Sequence, residues 1–127
     1  MKWTVDPRSD VPPSRQLVDA ALDAIATGDL APGAQLPSVR ALAAAALVNH
    51  NTVARAYLEL ERLGATEGQN GRGVFVTTRG PEIAREARRG ATLAAFRNAA
   101  REALRAGHTH EQLADVLERE RRARRTA

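Results

Sequence analysis

Apolar residues recur at three- and four-residue steps along most of the chain, and glycine or proline interrupts them where elements should end. Leu17, Val18, Ala21, Leu22 and Ile25 fall on one face. With Gly28 as a stop, they predict a first helix from Pro13 or Ser14 to Thr27. Gly28-Asp29 and Pro32-Gly33 then mark a tight loop. A second helix is expected over residues 39–46, after Leu36-Pro37, with Ser38 as its N-cap. The turn Leu47-Val48-Asn49 leads into a third helix, from His50 or Asn51 to Leu63, which Gly64 closes. Leu42, Ala43, Ala46, Val48, Val53, Ala56, Tyr57 and Leu60 would pack these two helices against the first.

After Gly64 the period changes. Residues 65–69 and 74–78 read as two short strands around Asn70-Gly71-Arg72-Gly73, and an Asn-Gly pair is a strong hairpin signal. Gly80-Pro81 is the clearest boundary. Beyond it the pattern is helical again, over residues 82–106 and, after Gly107, from Thr109 to about Arg122. Thr109 and Gln112 have the spacing of a capping box. The first twelve residues are expected to be extended, with Trp3 and Val5 alternating with polar neighbours and Asp6-Pro7 and Pro12-Pro13 as turn signals. The order of elements is that of a mostly α fold with a small β-hairpin. It predicts a winged helix-turn-helix over residues 1–78, followed by a two-helix region over residues 79–127.

Composition narrows the function. The chain has 127 residues, which suits one small domain and a short appendage. Hydrophobic content is 43% but aromatic content only 3%, so the apolar share is mostly alanine, a good helix former that fills little core volume. A thin core of this kind favours a partner chain. There is no cysteine, hence no disulfide and no thiolate zinc site, which suits a reducing cytoplasm. The longest apolar run, residues 41–48, is far too short for a membrane span. Asp6, Pro7, Arg8 and Asp10 stand where a signal peptide would need apolar residues. No phosphate-binding loop, metalloprotease or serine-hydrolase motif is present, so no enzyme and no cofactor are expected.

The net charge of +4 looks at first like a nucleic-acid signal. Apportioned along the chain, it is not. Residues 1–76 carry 7 basic and 8 acidic residues, whereas residues 119–127 carry 5 and 1. The basicity lies in a terminal arginine run, where cations suit the C-terminal dipole of a helix. A case for DNA has to rest on placed residues.

Three motifs supply such residues. The stretch from Gly28 through Leu36-Pro37-Ser38-Val39-Arg40 to Ala43 resembles the signature of the GntR family of bacterial transcription regulators. Asn49-His50-Asn51-Thr52-Val53-Ala54-Arg55-Ala56-Tyr57-Leu58-Glu59-Leu60-Glu61 is similar to the recognition helix of that family's YtrA-like branch. Gly71-Arg72-Gly73-Val74-Phe75-Val76 resembles its wing. The three occur in order across residues 12–76, and the short remainder also resembles that branch, whose members carry two C-terminal helices for dimerisation. The resemblance implies a homodimeric repressor on a near-palindromic operator. Three residues depart from it: His50 stands where the branch usually has proline, Leu47 where the turn usually has glycine or a small polar residue, and Ser14 where helix 1 often starts with an aromatic residue.

The residue chemistry agrees with that implication. A recognition helix enters the major groove by its N-terminal end, here Asn49, His50, Asn51 and Thr52, with Arg55 one turn on. Asparagine can pair with adenine, arginine with guanine, and the threonine methyl with a thymine methyl. Asn49, Asn51 and Thr52 would equally cap the helix. Arg40, in the first turn of helix 2, opposes the helix dipole and so calls for an anion such as a phosphate. Ser38 at the same end is an N-cap and a phosphate candidate. Gly71 and Arg72 form a hairpin tip that could enter a minor groove; Arg15 is a lesser phosphate candidate. His50, His108 and His110 are too few and too scattered for a metal site.

In the C-terminal region Ile83, Leu93, Phe96, Ala100 and Leu104, with Leu113, Val116 and Leu117 from the last helix, form apolar faces that two helices cannot enclose alone. They call for either the winged domain or a second subunit, and the resemblance implies the second subunit. A small-molecule effector at the subunit seam is an open expectation. Gly90 would mark a kink or a close helix crossing. The rival readings are an effector-sensing or protein-interaction module on the same fold, and a nucleic-acid-binding protein of low specificity.

Overall fold

In a computed structural model, residues 3–126 are described. Five helices and one hairpin follow the expected order: α1 (Pro13–Thr27), α2 (Val39–Ala46), α3 (His50–Leu63), β1 (Thr66–Gln69), β2 (Gly73–Val76), α4 (Gly80–Arg105) and α5 (His110–Thr126). Proline near the start of α1 lacks an N–H that would be unpaired there anyway, and Gly28 ends the helix at φ 92°. Ser38 and Asn49 cap α2 and α3 by accepting the N–H groups of Ala41 and Asn51. Antiparallel β1 and β2 pair Thr66 with Val76 and Gln69 with Gly73.

The core is the predicted one. Leu17, Leu22, Ile25, Leu42, Val53 and Leu60 are buried together, with Ala21, Ala46, Ala56 and Tyr57 filling between them. Small side chains let three helices approach closely where bulkier ones would hold them apart. Trp3 and Val5 pack against this core half-buried.

Several details differ from expectation. The segment before α1 is turned or bent throughout residues 7–11, more than its Asp6-Pro7 turn signal alone asks for. Asp6 accepts the Arg8 N–H, and the Gln16 amide donates to the carbonyls of Asp6 and Val11 while accepting the Asp6 N–H. One side chain of α1 thus satisfies backbone that would otherwise favour a strand partner. The wing also gains a third segment. Gly33 N–H donates to Val76 O at 2.8 Å, Val76 N–H to Ala34 O at 2.9 Å and Leu36 N–H to Val74 O at 2.9 Å. At Gly90 an added Cβ would meet nothing within 4 Å in this chain, and α4 runs through it as one helix.

The chain divides into two compact units between Arg89 and Gly90, so the first ten residues of α4 belong to the winged unit. There Ala84 is buried and Ile83 packs on the core. Gly80 starts the helix in a place too tight for a side chain, with Val76 Cγ1 2.8 Å and the Ala65 carbonyl 3.0 Å from where a Cβ would stand. The second unit joins the rest of α4 to α5 through Gly107 at φ 102°. Thr109 and Gln112 close the expected capping box, each accepting the other's backbone N–H.

Candidate nucleic-acid interface

The helix-turn-helix is held by one long-range bond in addition to apolar packing. Tyr57 is buried on α3, and its hydroxyl donates to the Pro37 carbonyl at 2.6 Å, immediately before the N-cap of α2. Burial pushes the phenol above its ordinary pKa, because the charged form would lose its water. The bond ties the recognition helix to the end of α2 that carries Ser38 and Arg40.

Between α2 and α3 the chain turns through Leu47, at φ 56° and ψ 47°. This is the left-handed region that favours glycine, and Leu47 is the one non-glycine residue there among those described. Its side chain is 91% exposed, so packing does not hold it. Hydrogen bonds from the Leu47 and Val48 N–H groups to the Ala43 carbonyl do. The departure at Leu47 therefore leaves the turn's left-handed geometry in place.

Val53, Ala56, Tyr57 and Leu60 of α3 face the core, which leaves the opposite side outward. Asn49, His50, Asn51 and Arg55 are exposed and Thr52 is half-buried. Asn49 Oδ1 accepts the Asn51 N–H at 2.7 Å, so its capping role occupies that oxygen and leaves its amide nitrogen available. Ser38 Oγ likewise accepts the Ala41 N–H at 3.1 Å. Ala54, exposed on the same side as Asn51 and Arg55, was not singled out in the sequence; alanine advertises no chemistry.

The arginines of this unit fall into two groups. Arg15 pairs with Asp19, Arg62 with Glu59 and Arg79 with Glu82. The Arg62 hydrogen bond also holds the Glu59 carboxyl below its usual range. Arg8, Arg40, Arg55, Arg72 and Arg85 are exposed, and their guanidinium groups have no partner among the described residues; of these, Arg40, Arg55 and Arg72 stand on α2, α3 and the hairpin. Arg55 lines a shallow groove with Arg15 and Arg62 between α1 and α3.

Wing geometry rests on Gln35, whose long-range contact leaves no local trace in the sequence. Its Nε2 donates to the Arg72 carbonyl at 3.0 Å, fixing the backbone of the hairpin tip from outside the hairpin. Gly73, at φ 122°, is required beside it: an added Cβ would lie 2.5 Å from that nitrogen. Among the described residues no three His, Asp or Glu side chains gather as a metal site would need, and no helix is long and apolar enough to cross a membrane.

In the second unit Leu93, Phe96, Val116 and Leu117 are each more than half exposed, whereas Ala100, Leu104 and Leu113 are half-buried. Ile83, grouped with them by spacing, instead packs on the winged core.

Helix, helix-turn-helix and hairpin wing, with the N-terminal end of the third helix presented outward, define the winged helix-turn-helix class. Residues 13–76 match the gntR family of bacterial regulatory proteins, and the chain belongs to that family. It is similar to the HTH-type transcriptional repressor YtrA of Bacillus subtilis (strain 168), 42% identical over 73 residues, or 58% of this chain and 56% of that protein. That alignment, like those to two further curated relatives, spans little more than half of the relative's length. Solved structures match more fully. A GntR family transcriptional regulator from Listeria monocytogenes superposes with TM-score 0.70 at 27% identity, over 91% of this chain and 98% of that one. YtrA from Sulfolobus acidocaldarius, a GntR-family transcription factor, superposes with TM-score 0.61 at 31% identity, over 79% and 99%.

Proposed function

We propose that this protein is a sequence-specific, DNA-binding transcription regulator that acts as a repressor by binding a palindromic operator as a homodimer. Residues 1–78 would carry DNA recognition and residues 79–127 dimerisation. No reaction is catalysed, and binding is noncovalent. The observation that carries the reading is the placement of three open arginines: Arg40 on α2, Arg55 on α3 and Arg72 on the wing each present an unpaired guanidinium, whereas Arg15, Arg62 and Arg79 are paired. An unpaired guanidinium fits guanine edges and phosphates bidentately.

In this reading Asn49, His50, Asn51, Thr52 and Arg55 face base edges in the major groove. Ser38 and Arg40 take a phosphate at the start of α2, and Gly71 and Arg72 lie along the minor groove. Leu93, Phe96, Ala100, Leu104, Leu113 and Leu117 form the subunit interface. The names of the relatives, transcriptional repressor and transcription factor, support the regulatory role, and a regulator of this kind works in the cytoplasm. A small-molecule effector at the subunit seam would modulate it.

Selection of bound fragments from genomic DNA, at fixed salt, tests the reading. The expected result is one inverted repeat whose half-sites lie about one helical turn apart, ~10 base pairs. Enrichment of no repeat would reject an operator-binding role.

A further inference from the structure

The third segment of the wing, residues 33–36, stops short of the hairpin tip. Its ladder with β2 runs from Gly33 and Ala34 at Val76 to Leu36 at Val74, with Gln35 opposite Phe75. Bonded positions in an antiparallel ladder recur every second residue, so the next bond would join the Ser38 N–H to the Arg72 carbonyl. The chain has left the sheet by then. The Pro37 carbonyl accepts from Tyr57, and Ser38 caps α2. The Arg72 carbonyl takes its bond from Gln35 Nε2 instead, at 3.0 Å, and a side chain completes the ladder where the backbone cannot.

That bond falls where the hairpin restricts itself least. Arg72 stands between Gly71 at φ 72° and Gly73 at φ 122°, and its own N–H closes the turn onto Gln69 O, a bond that moves with the hairpin. On the opposite edge Glu61 of α3 accepts the Gly68 N–H at 3.0 Å, which ties β1 to the recognition helix. Gln35 ties the tip itself to the segment that starts α2. Its side chain is exposed and belongs to no buried cluster, so the amide serves the tip and not the core. An arginine on a loose tip must lose backbone as well as side-chain freedom when it binds, whereas one on a fixed tip loses only the second.

We propose that Gln35 is the positioning residue of the wing: by fixing the Arg72 carbonyl it holds the hairpin tip in the conformation that presents Arg72 to the minor groove. This deepens the proposed function and rests on its wing contact with DNA. Two measurements on the full-length chain test it. The first is hydrogen exchange of the free protein, read by mass spectrometry, in wild type and in Gln35→Met, which keeps the side-chain length and removes the amide. Peptides covering residues 70–73 should exchange at least about threefold faster in the variant, while those of α1 and α3 keep their wild-type rates. The second is fluorescence anisotropy on a duplex selected by the wild type, with Gln35→Met, Arg72→Ala and the double variant. Gln35→Met should weaken binding about three- to tenfold, and Arg72→Ala at least as much. Added to Arg72→Ala, Gln35→Met should change the affinity by less than about twofold. A residue that touched DNA by itself, or only supported the fold, would act equally with and without the Arg72 side chain. Wild-type exchange at the tip, wild-type binding by Gln35→Met or by Arg72→Ala, or equal losses in both backgrounds overturns the proposal. So does general unfolding of Gln35→Met, seen as faster exchange throughout α1 and α3. A wild type that enriches no duplex sequence rejects the sequence-specific reading itself, and this proposal with it.

Discussion

Replacing Tyr57 by phenylalanine removes one oxygen and leaves the buried ring in place. The lost bond is the 2.6 Å donation to the Pro37 carbonyl, the one side-chain link from α3 to the segment that starts α2. A neutral hydrogen bond contributes about 1 kcal/mol net, and a half-buried carbonyl left without its donor raises the cost to about 1–2 kcal/mol. Trp3, the sole tryptophan, packs against the same core, so its fluorescence reports unfolding of the winged unit. With a urea slope of about 2 kcal/mol/M, the midpoint should fall by roughly 0.5–1 M at unchanged slope. An unchanged midpoint would mean that the bond contributes nothing. A loss above about 3 kcal/mol would mean that the ring repacks and the hydroxyl is not the cause.

Tyr57 is also the only tyrosine, so the absorbance of tyrosinate reads one group. Burial raises its pKa above the ordinary 10.0 in the folded state, so the unfolded chain is the one that loses the proton first. Stability from this group is therefore constant below about pH 10 and declines as pH rises from there towards the folded value. Tyrosinate should appear together with unfolding, not before it. Appearance at the ordinary pKa, with tryptophan fluorescence still native, would refute the burial argument.

Leu47→Gly should stabilise the winged unit. It relieves about 1–2 kcal/mol of left-handed strain against about 0.5–1 kcal/mol of added chain entropy, and urea unfolding should show a higher midpoint. Arg40→Ala and Arg55→Ala should each weaken binding to the selected operator by about 1–3 kcal/mol in fluorescence anisotropy, with circular dichroism unchanged. Arg40→Ala should act alike on all sequences and lower the salt slope, whereas Arg55→Ala should relax the preference at one base pair. Truncation after Arg89 should leave a folded, monomeric winged unit by light scattering. Truncation after Thr78 should be less stable, because it removes buried Ala84 and the Arg88 pairs with Asp19 and Asp23.

Elements whose evidence is local were legible in the sequence. The faces of α1 and α3 repeat at helical steps, Ser38, Asn49 and Thr109 cap where caps belong, and Asn70-Gly71 turns the hairpin; each is a rule acting over a few residues. The same holds for the candidate interface, since the unpaired Arg40, Arg55 and Arg72 were all selectable from motif position. What stayed hidden joins distant positions. Gln35 bonds to the Arg72 backbone 37 residues away, and Arg88 reaches Asp23 across 65 residues. Neither leaves a periodic trace, and an arginine three residues from a glutamate, as Arg79 and Arg89 are, looks in sequence no different from one that reaches another helix. The net charge misleads for the related reason that it ignores pairing. Five of the nine arginines between Pro13 and Arg89 are paired locally or across to α1, so the total overstates the charge that is left open.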